Sequence, residues 1–430
     1  MHSKIYILSN FAASGFLLPK LFFDLTFKNE KISPTLERIM PIKRFVVIFL
    51  TASVLYAESL ESLLAKVAES PIYQSRIASI EAERYGLEAE TRPDGWYIGT
   101  EGSYADLKDG SDSGREWGIS IGRTFRLKGS AVEALFKRSE AYSRMRRRVA
   151  LHRLRAKLWY LYRRYCLTYK TIEAKGELGV IYDEMARHID KGVRFGEFDA
   201  SKSIMAHLAL ENLNLQIAEL DSRLKEYEAQ IEAIVPFDGQ FDCRPVRPDL
   251  GTLFEPSHSA LWPMLNSRVD KAKEALSVAS TRLPSMGVEG SYTDELDTRR
   301  YTLSLSIPLA FGAKSDAGRA AAMHTYEAAR QELEAFKNRY AQQTRALKQR
   351  LDIYLRHVKS AERTIALSAD TLIEQSRMRF KAGEESLIGM LKAAETKLQM
   401  IETILDLKQS RLEAVYRYLD EYAVDPQGVM

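Results

Sequence analysis

Cysteine is almost absent from this 430-residue chain, which holds only Cys166 and Cys243. That excludes a disulfide-dense scaffold and any metal cluster built from several thiolates. An excess of one charge is lacking as well. The formal net charge is +4, but residues 1–57 hold seven Lys or Arg against three Asp or Glu, which leaves residues 58–430 with 55 of each. That balance gives no reason to expect a nucleic acid partner. There is no phosphate-binding glycine loop, and His152, His188, His207, His258, His324 and His357 are scattered without metal-ligand spacing. His207 and Glu211 could share a helix face as a solvated pair, short of the three or four ligands a metal takes. With 45% apolar and 28% charged residues, the chain is neither a disordered tail nor a polytopic bundle of membrane helices. No catalytic constellation or cofactor motif is found, and no enzyme activity is expected. The one basic run, Arg144 to Arg155, reads as a solvated or interhelical ion-paired face.

What is present begins with a leader. Met40-Pro41-Ile42-Lys43-Arg44 is basic, Phe45 to Val54 is almost wholly apolar, and Ala57 precedes Glu58. This is the order of a secretory signal peptide over 40–57, with an N-terminal membrane anchor as the alternative. Met40 is then the expected start, and 1–39 an over-extended reading frame. Export implies an oxidising compartment.

Beyond the leader, long helical stretches alternate with short two-residue periodicities. Helices are expected over 58–91, 131–190, 200–235, 257–283, 317–381 and 386–423. In the fifth, Leu333, Phe336, Tyr340 and Leu347 keep a seven-residue repeat that Leu351, Tyr354, Val358, Ala361 and Ile365 resume out of phase, a coiled-coil seam with an insertion. By length, 200–235 and 257–283 end to end match the first long helix, and 386–423 with 58–91 match the second. Strands are expected over 96–107, 115–127, 285–296 and 299–311. Each is apolar on one face (Trp96, Ile98 and Tyr104; Trp117, Ile119, Ile121 and Phe125; Met286, Val288 and Tyr292; Tyr301, Leu303, Leu305 and Ile307) and small or polar on the other. A tilted membrane strand has this length and alternation, and so does a soluble hairpin.

The chain also repeats itself. Glu101-Gly102-Ser103-Tyr104 recurs as Glu289-Gly290-Ser291-Tyr292, Trp117–Leu127 aligns with Tyr301–Phe311, and Arg194-Phe195-Gly196-Glu197 resembles Arg379-Phe380-Lys381-Ala382-Gly383-Glu384. Three features in one order at nearly one offset define a tandem repeat. It divides the chain into 58–240 (long helix 131–190, tip turn 191–199), a connector 241–256 rich in Pro, a second copy 257–424 (long helix 317–381, tip turn 382–386) and a tail 425–430. Four strands are too few to close a barrel, so copies of the chain would have to complete it.

Over 58–424 the sequence resembles the TolC family of outer membrane efflux proteins, or outer membrane factors. The resemblance is carried by Ser59 to Ala68 with Ser70-Pro71, by Leu303–Ile307 followed by Pro308-Leu309-Ala310-Phe311-Gly312, and by the turn Arg379–Glu384. It implies a mainly α chain with a transmembrane β part. In a homotrimer, long α-hairpins would form a periplasmic α-barrel, and four strands per chain a twelve-stranded outer membrane β-barrel. It further implies a passive duct of a tripartite efflux or type I secretion system, with a periplasmic adaptor and an inner-membrane transporter (RND, ABC or MFS type) as partners. On this resemblance Phe195, Gly196, Glu197, Phe198, Arg379, Phe380, Gly383, Glu384, Glu385 and Ser386 form the adaptor-docking tip. Lys202, Gly389 and Lys392 take the entrance-lining positions, where the archetype has Asp. The competing expectation is a periplasmic coiled-coil scaffold without a barrel. Cys166 and Cys243 come at comparable heights along the expected column, which leaves both a bond and two unpaired thiols open.

Overall fold

The computed structural model describes residues 58–91, 95–106, 113–127, 129–237, 241–243, 254–281, 285–295, 298–308 and 313–429. The leader 1–57, most of the connector, and residues 107, 296 and 309–311 at the expected strand ends lie outside them.

The alternating segments pair as one antiparallel sheet in the order β1 (Trp96–Asp106), β2 (Ser113–Arg126), β3 (Ser285–Asp294) and β4 (Arg299–Ser306). β4 ends at Ser306, short of the expected 311; Pro308 cannot donate to a ladder. Register decides the faces, because each strand alternates sides. Ile98 pairs with Ile121, Ile121 with Gly290 and Gly290 with Leu303, so the four apolar stripes fall on one face. Polar residues share that face too, Thr100, Arg115, Asp294 and Arg299 away from the helices and Arg123 towards them. Arg123 sits in the row Trp96–Arg123–Val288–Leu305, with its guanidinium 5.4 Å from the Trp96 ring and 5.2 Å from that of Phe125.

The helices differ from expectation at several ends. The stretch 58–91 breaks into α1 (Leu60–Lys66), a 3-10 turn (Val67–Glu69) and α2 (Pro71–Thr91). Pro71 lacks the N–H that a continuous helix needs and holds Ser70 in an extended conformation (ψ 143°), where its hydroxyl accepts from the Tyr73 N–H at 3.2 Å. The first long helix, α3, runs Gly129–Arg194 over 66 residues, about 100 Å at the helical rise. It turns into α4 (Ala200–Glu232), and α5 (Leu261–Ala279) leads back to the sheet. The second begins as α6 (Ala313–Thr364), passes through one π turn (Ile365–Ala369) and ends as α7 (Asp370–Lys381), before α8 (Leu387–Tyr422) returns. The π turn begins at Ile365, the last residue of the heptad stripe, whereas the slip in that stripe at 347–351 stays α-helical.

α4 and α5 both pack along α3, and α8 packs along both α6 and α7. α2 packs on α3, however, although the length comparison paired it with the second long helix. Arg146 and Arg147 make that contact, ion-pairing with Glu83 and Glu81 of α2, so the basic run faces another helix. Two large apolar cores result, beside a small cluster of Val149, Ala260 and Ala423. One surrounds Leu63, Leu64, Leu158, Tyr162, Ile231 and Tyr422 partway along the helices. The other surrounds Leu178, Tyr182, Ile189, Leu213, Ile373 and Met390 towards the turns. Among the described residues, no helix is long and apolar enough to cross a membrane.

Residues 241–243, the start of the connector and a belt beside the first core, are stitched to α3. Cys166 of α3 and Cys243 form a disulfide with Cα atoms 5.2 Å apart. Tyr162 donates to the Asp242 carbonyl, and Glu58 bridges in parallel to Phe241. At the C-terminus, Val424 bridges to Ser259, and Arg155 pairs with Asp425 at 2.7 Å.

Candidate channel wall and tip

Two regions have the features of working surfaces. The first is the sheet. Its apolar face is bare: Ile98, Ile119, Ile121, Leu303 and Leu305 are exposed, Leu303 at 81%. Trp117, Tyr292 and Tyr301 cluster towards one end of this face, the Tyr292 ring centroid 5.4 Å from that of Trp117 and 5.1 Å from that of Tyr301, and Trp96 and Phe125 flank Arg123 near the other. Apolar rows between aromatic rows suit a sheet lying across a bilayer, where aromatics settle at both interfaces. A long Arg near such an interface reaches the headgroups while its stem stays among apolar neighbours. The opposite face carries Ser, Thr, Gly and a few charges. β1 and β4 are the sheet's edges.

The second region is the pair of turns at the far end of the helices. After α3, Gly196 has φ +75°, and the Glu197 N–H reaches back to the Gly192 carbonyl at 2.8 Å. After α7, Gly383 has φ +75°, and the Glu384 N–H reaches the Arg379 carbonyl at 2.9 Å. Both are helix C-caps in which a left-handed residue lets the chain reverse, a conformation that costs residues with a Cβ about 1–2 kcal/mol. Ser386 then caps α8, its hydroxyl accepting from the Gly389 N–H at 3.1 Å.

The turns lie side by side. Phe198 stacks on Phe380 with centroids 6.4 Å apart, and His188 meets the edge of Phe380 at 5.3 Å. Glu184 of α3 binds Arg377 of α7, which, with Lys381 at 3.7 Å, holds its carboxyl below the usual range. Asp190 is held low by the Ser203 hydroxyl at 2.6 Å and by His207 at 3.1 Å, so His207 pairs with Asp190 rather than Glu211.

The expected tip residues therefore divide. Phe195 is 80% exposed, and Glu197, Arg379, Gly383, Glu384 and Ser386 are also at the surface. Phe380 is buried, so it supports the tip from beneath rather than presenting a surface, and Phe198 is half-buried beside it. Of the entrance-lining positions, Lys202 lays its ammonium 5.1 Å from the Phe198 ring, Gly389 sits in the first turn of α8, and Lys392 is exposed one turn further on. Sequence reading missed Arg123 on the apolar face, although its parity with Ile121 and Phe125 already put it there.

No family model and no curated protein matches the sequence. Solved structures do. The outer membrane protein VceC from Vibrio cholerae superposes with a TM-score of 0.69 at 11% identity, over 85% of this chain and 96% of that one. The Campylobacter jejuni CmeC outer membrane channel gives 0.68 at 14% identity, over 85% of each chain. The open state of the Neisseria gonorrhoeae MtrE outer membrane channel gives 0.65 at 12% identity, over 85% of this chain and 89% of that one. The sheet, the paired long helices and the two turns together thus give this chain the fold of these outer membrane channel proteins.

Proposed function

We propose that the chain is the outer membrane duct of a tripartite export system. Three copies would close a twelve-stranded β-barrel, and their helical hairpins would extend into the periplasm. The observation that carries this is the register, which gathers four apolar stripes onto one exposed face and leaves β1 and β4 as edges. In hydrocarbon each unpaired backbone group costs several kcal/mol, so such a sheet is stable only when neighbouring copies pair with its edges. A coiled-coil scaffold without a barrel would leave Ile98, Ile121, Leu303 and Leu305 in water for no gain. The exposed Phe195 and the two glycine turns supply the docking end for a periplasmic adaptor, below which an inner-membrane transporter supplies the work. The duct itself is passive: selection reduces to pore width and lining charge. Fractionation tests the reading. A heat-modifiable trimer is expected in the outer membrane fraction, with ion conductance after reconstitution; a soluble periplasmic monomer would refute it.

A further inference from the structure

The polar face of the sheet has a distribution of charge that its composition alone does not suggest. Three adjacent rows towards its helix side are Thr124–Gly287–Ser306, Tyr97–Gly122–Glu289–Ser304 and Gly99–Ser120–Ser291–Thr302. Glu289 is the one formally charged residue among them. Charges return in the next row, where Glu101 is in register with Arg300, itself paired with Glu295 at 3.0 Å, then at Glu116, which accepts from the Ser103 hydroxyl at 3.1 Å, and at the helix-side end, where Arg126 lies opposite Ser285. Glu289 is also held in place. The Tyr97 hydroxyl donates to its Oε2 at 2.6 Å, reaching from β1 across β2 to β3. It can do so because Gly122 lies between them: a Cβ there would fall within the Tyr97 ring.

We propose that Glu289 sets the charge preference of the barrel lumen, favouring cationic cargo, with Tyr97 as its positioning residue and Gly122 as the gap that Tyr97 crosses. This rests on the barrel reading above, in which the polar face lines the lumen and three copies place three carboxylates at one height.

Reversal potentials of the reconstituted trimer under a KCl gradient test it. At about 0.01 M salt the Debye length is about 30 Å, and at 1 M it is about 3 Å. The wild type is expected to prefer K⁺ at low salt and to lose that preference at 1 M. Glu289→Gln should lower the low-salt permeability ratio about threefold, as expected for three unit charges acting through water. Tyr97→Phe removes only the hydroxyl and should lower it by less. A wild type that prefers Cl⁻ at low salt, or a Glu289→Gln channel with an unchanged ratio, overturns the proposal. An unchanged ratio in Tyr97→Phe removes the positioning role. A wild type that inserts no conductance overturns the barrel reading instead.

Discussion

Leu305 and Ser304 are neighbours in β4 and face opposite ways: Leu305 stands in the apolar row with Val288, and Ser304 in the polar row with Glu289. Leu305→Arg should reduce trimer yield in the outer membrane, because a lipid-facing charge near the bilayer midplane costs about 2–4 kcal/mol. Ser304→Arg should be tolerated better, with water and a nearby carboxylate on its side. Comparable yields of the two variants on heat-modifiability gels would reverse the face assignment. His152 offers a second test at this scale. It is buried, and its Nδ1 donates to the Ala423 carbonyl at 2.9 Å. Burial pushes its pKa down, outweighing the upward pulls of Asp425 and of the backbone bond. The unfolded chain therefore binds the proton more readily, and this contribution to stability is lost as pH falls below about 6.5. Acidification from pH 7.5 to 5.5 should lower the melting temperature of the wild type more than that of His152→Gln.

The reversal of each helical hairpin depends on one glycine. A Cβ at Gly383 would meet nothing within 4 Å, so Gly383→Ala isolates the cost of the left-handed backbone, about 1 kcal/mol. Chemical denaturation should read that loss. Gly383→Trp tests the docking role: export should stop while trimer levels in the membrane hold, and loss of the trimer would make the turn structural instead. The turns were legible in the sequence as Phe-Gly-Glu and Ala-Gly-Glu at matching places in the repeat. That Phe195 is exposed and Phe380 buried was not. Both residues lie near a turn at the end of a long helix, and only the approach of the two hairpins, stacking Phe198 on Phe380, separates them. The π turn at Ile365–Ala369 was not legible: the slip in heptad phase lies at 347–351, where the helix stays α.

For the whole molecule, the Cys166–Cys243 bond ties α3 to the belt across a separation of 77 residues. Closing a loop of that size in the unfolded chain contributes up to about 4.5 kcal/mol in the chain-entropy account. Reducing agent, or Cys166→Ser, should lower the melting temperature by several degrees, and alkylation before reduction should label neither cysteine. Recovery of two labelled thiols from unreduced protein would exclude the bond.

Local periodicity and the internal repeat determined the element types, the two-hairpin plan and the apolar stripe of each strand, because those depend on residues a few positions apart. Even the break at Ser70-Pro71 was written there, in the missing amide of one proline. Pairing across long separations was not. β2 and β3 are joined through α3, α4 and α5, and a one-residue slip between them would turn one hairpin's apolar stripe onto the polar face. Their register, the reach of Tyr97 over Gly122 to Glu289, the packing of α2 on α3 and the closing of Cys166 on Cys243 each join segments that no local period relates. Tertiary structure decided them, because the energy that fixes each contact is gained only when distant segments have already met.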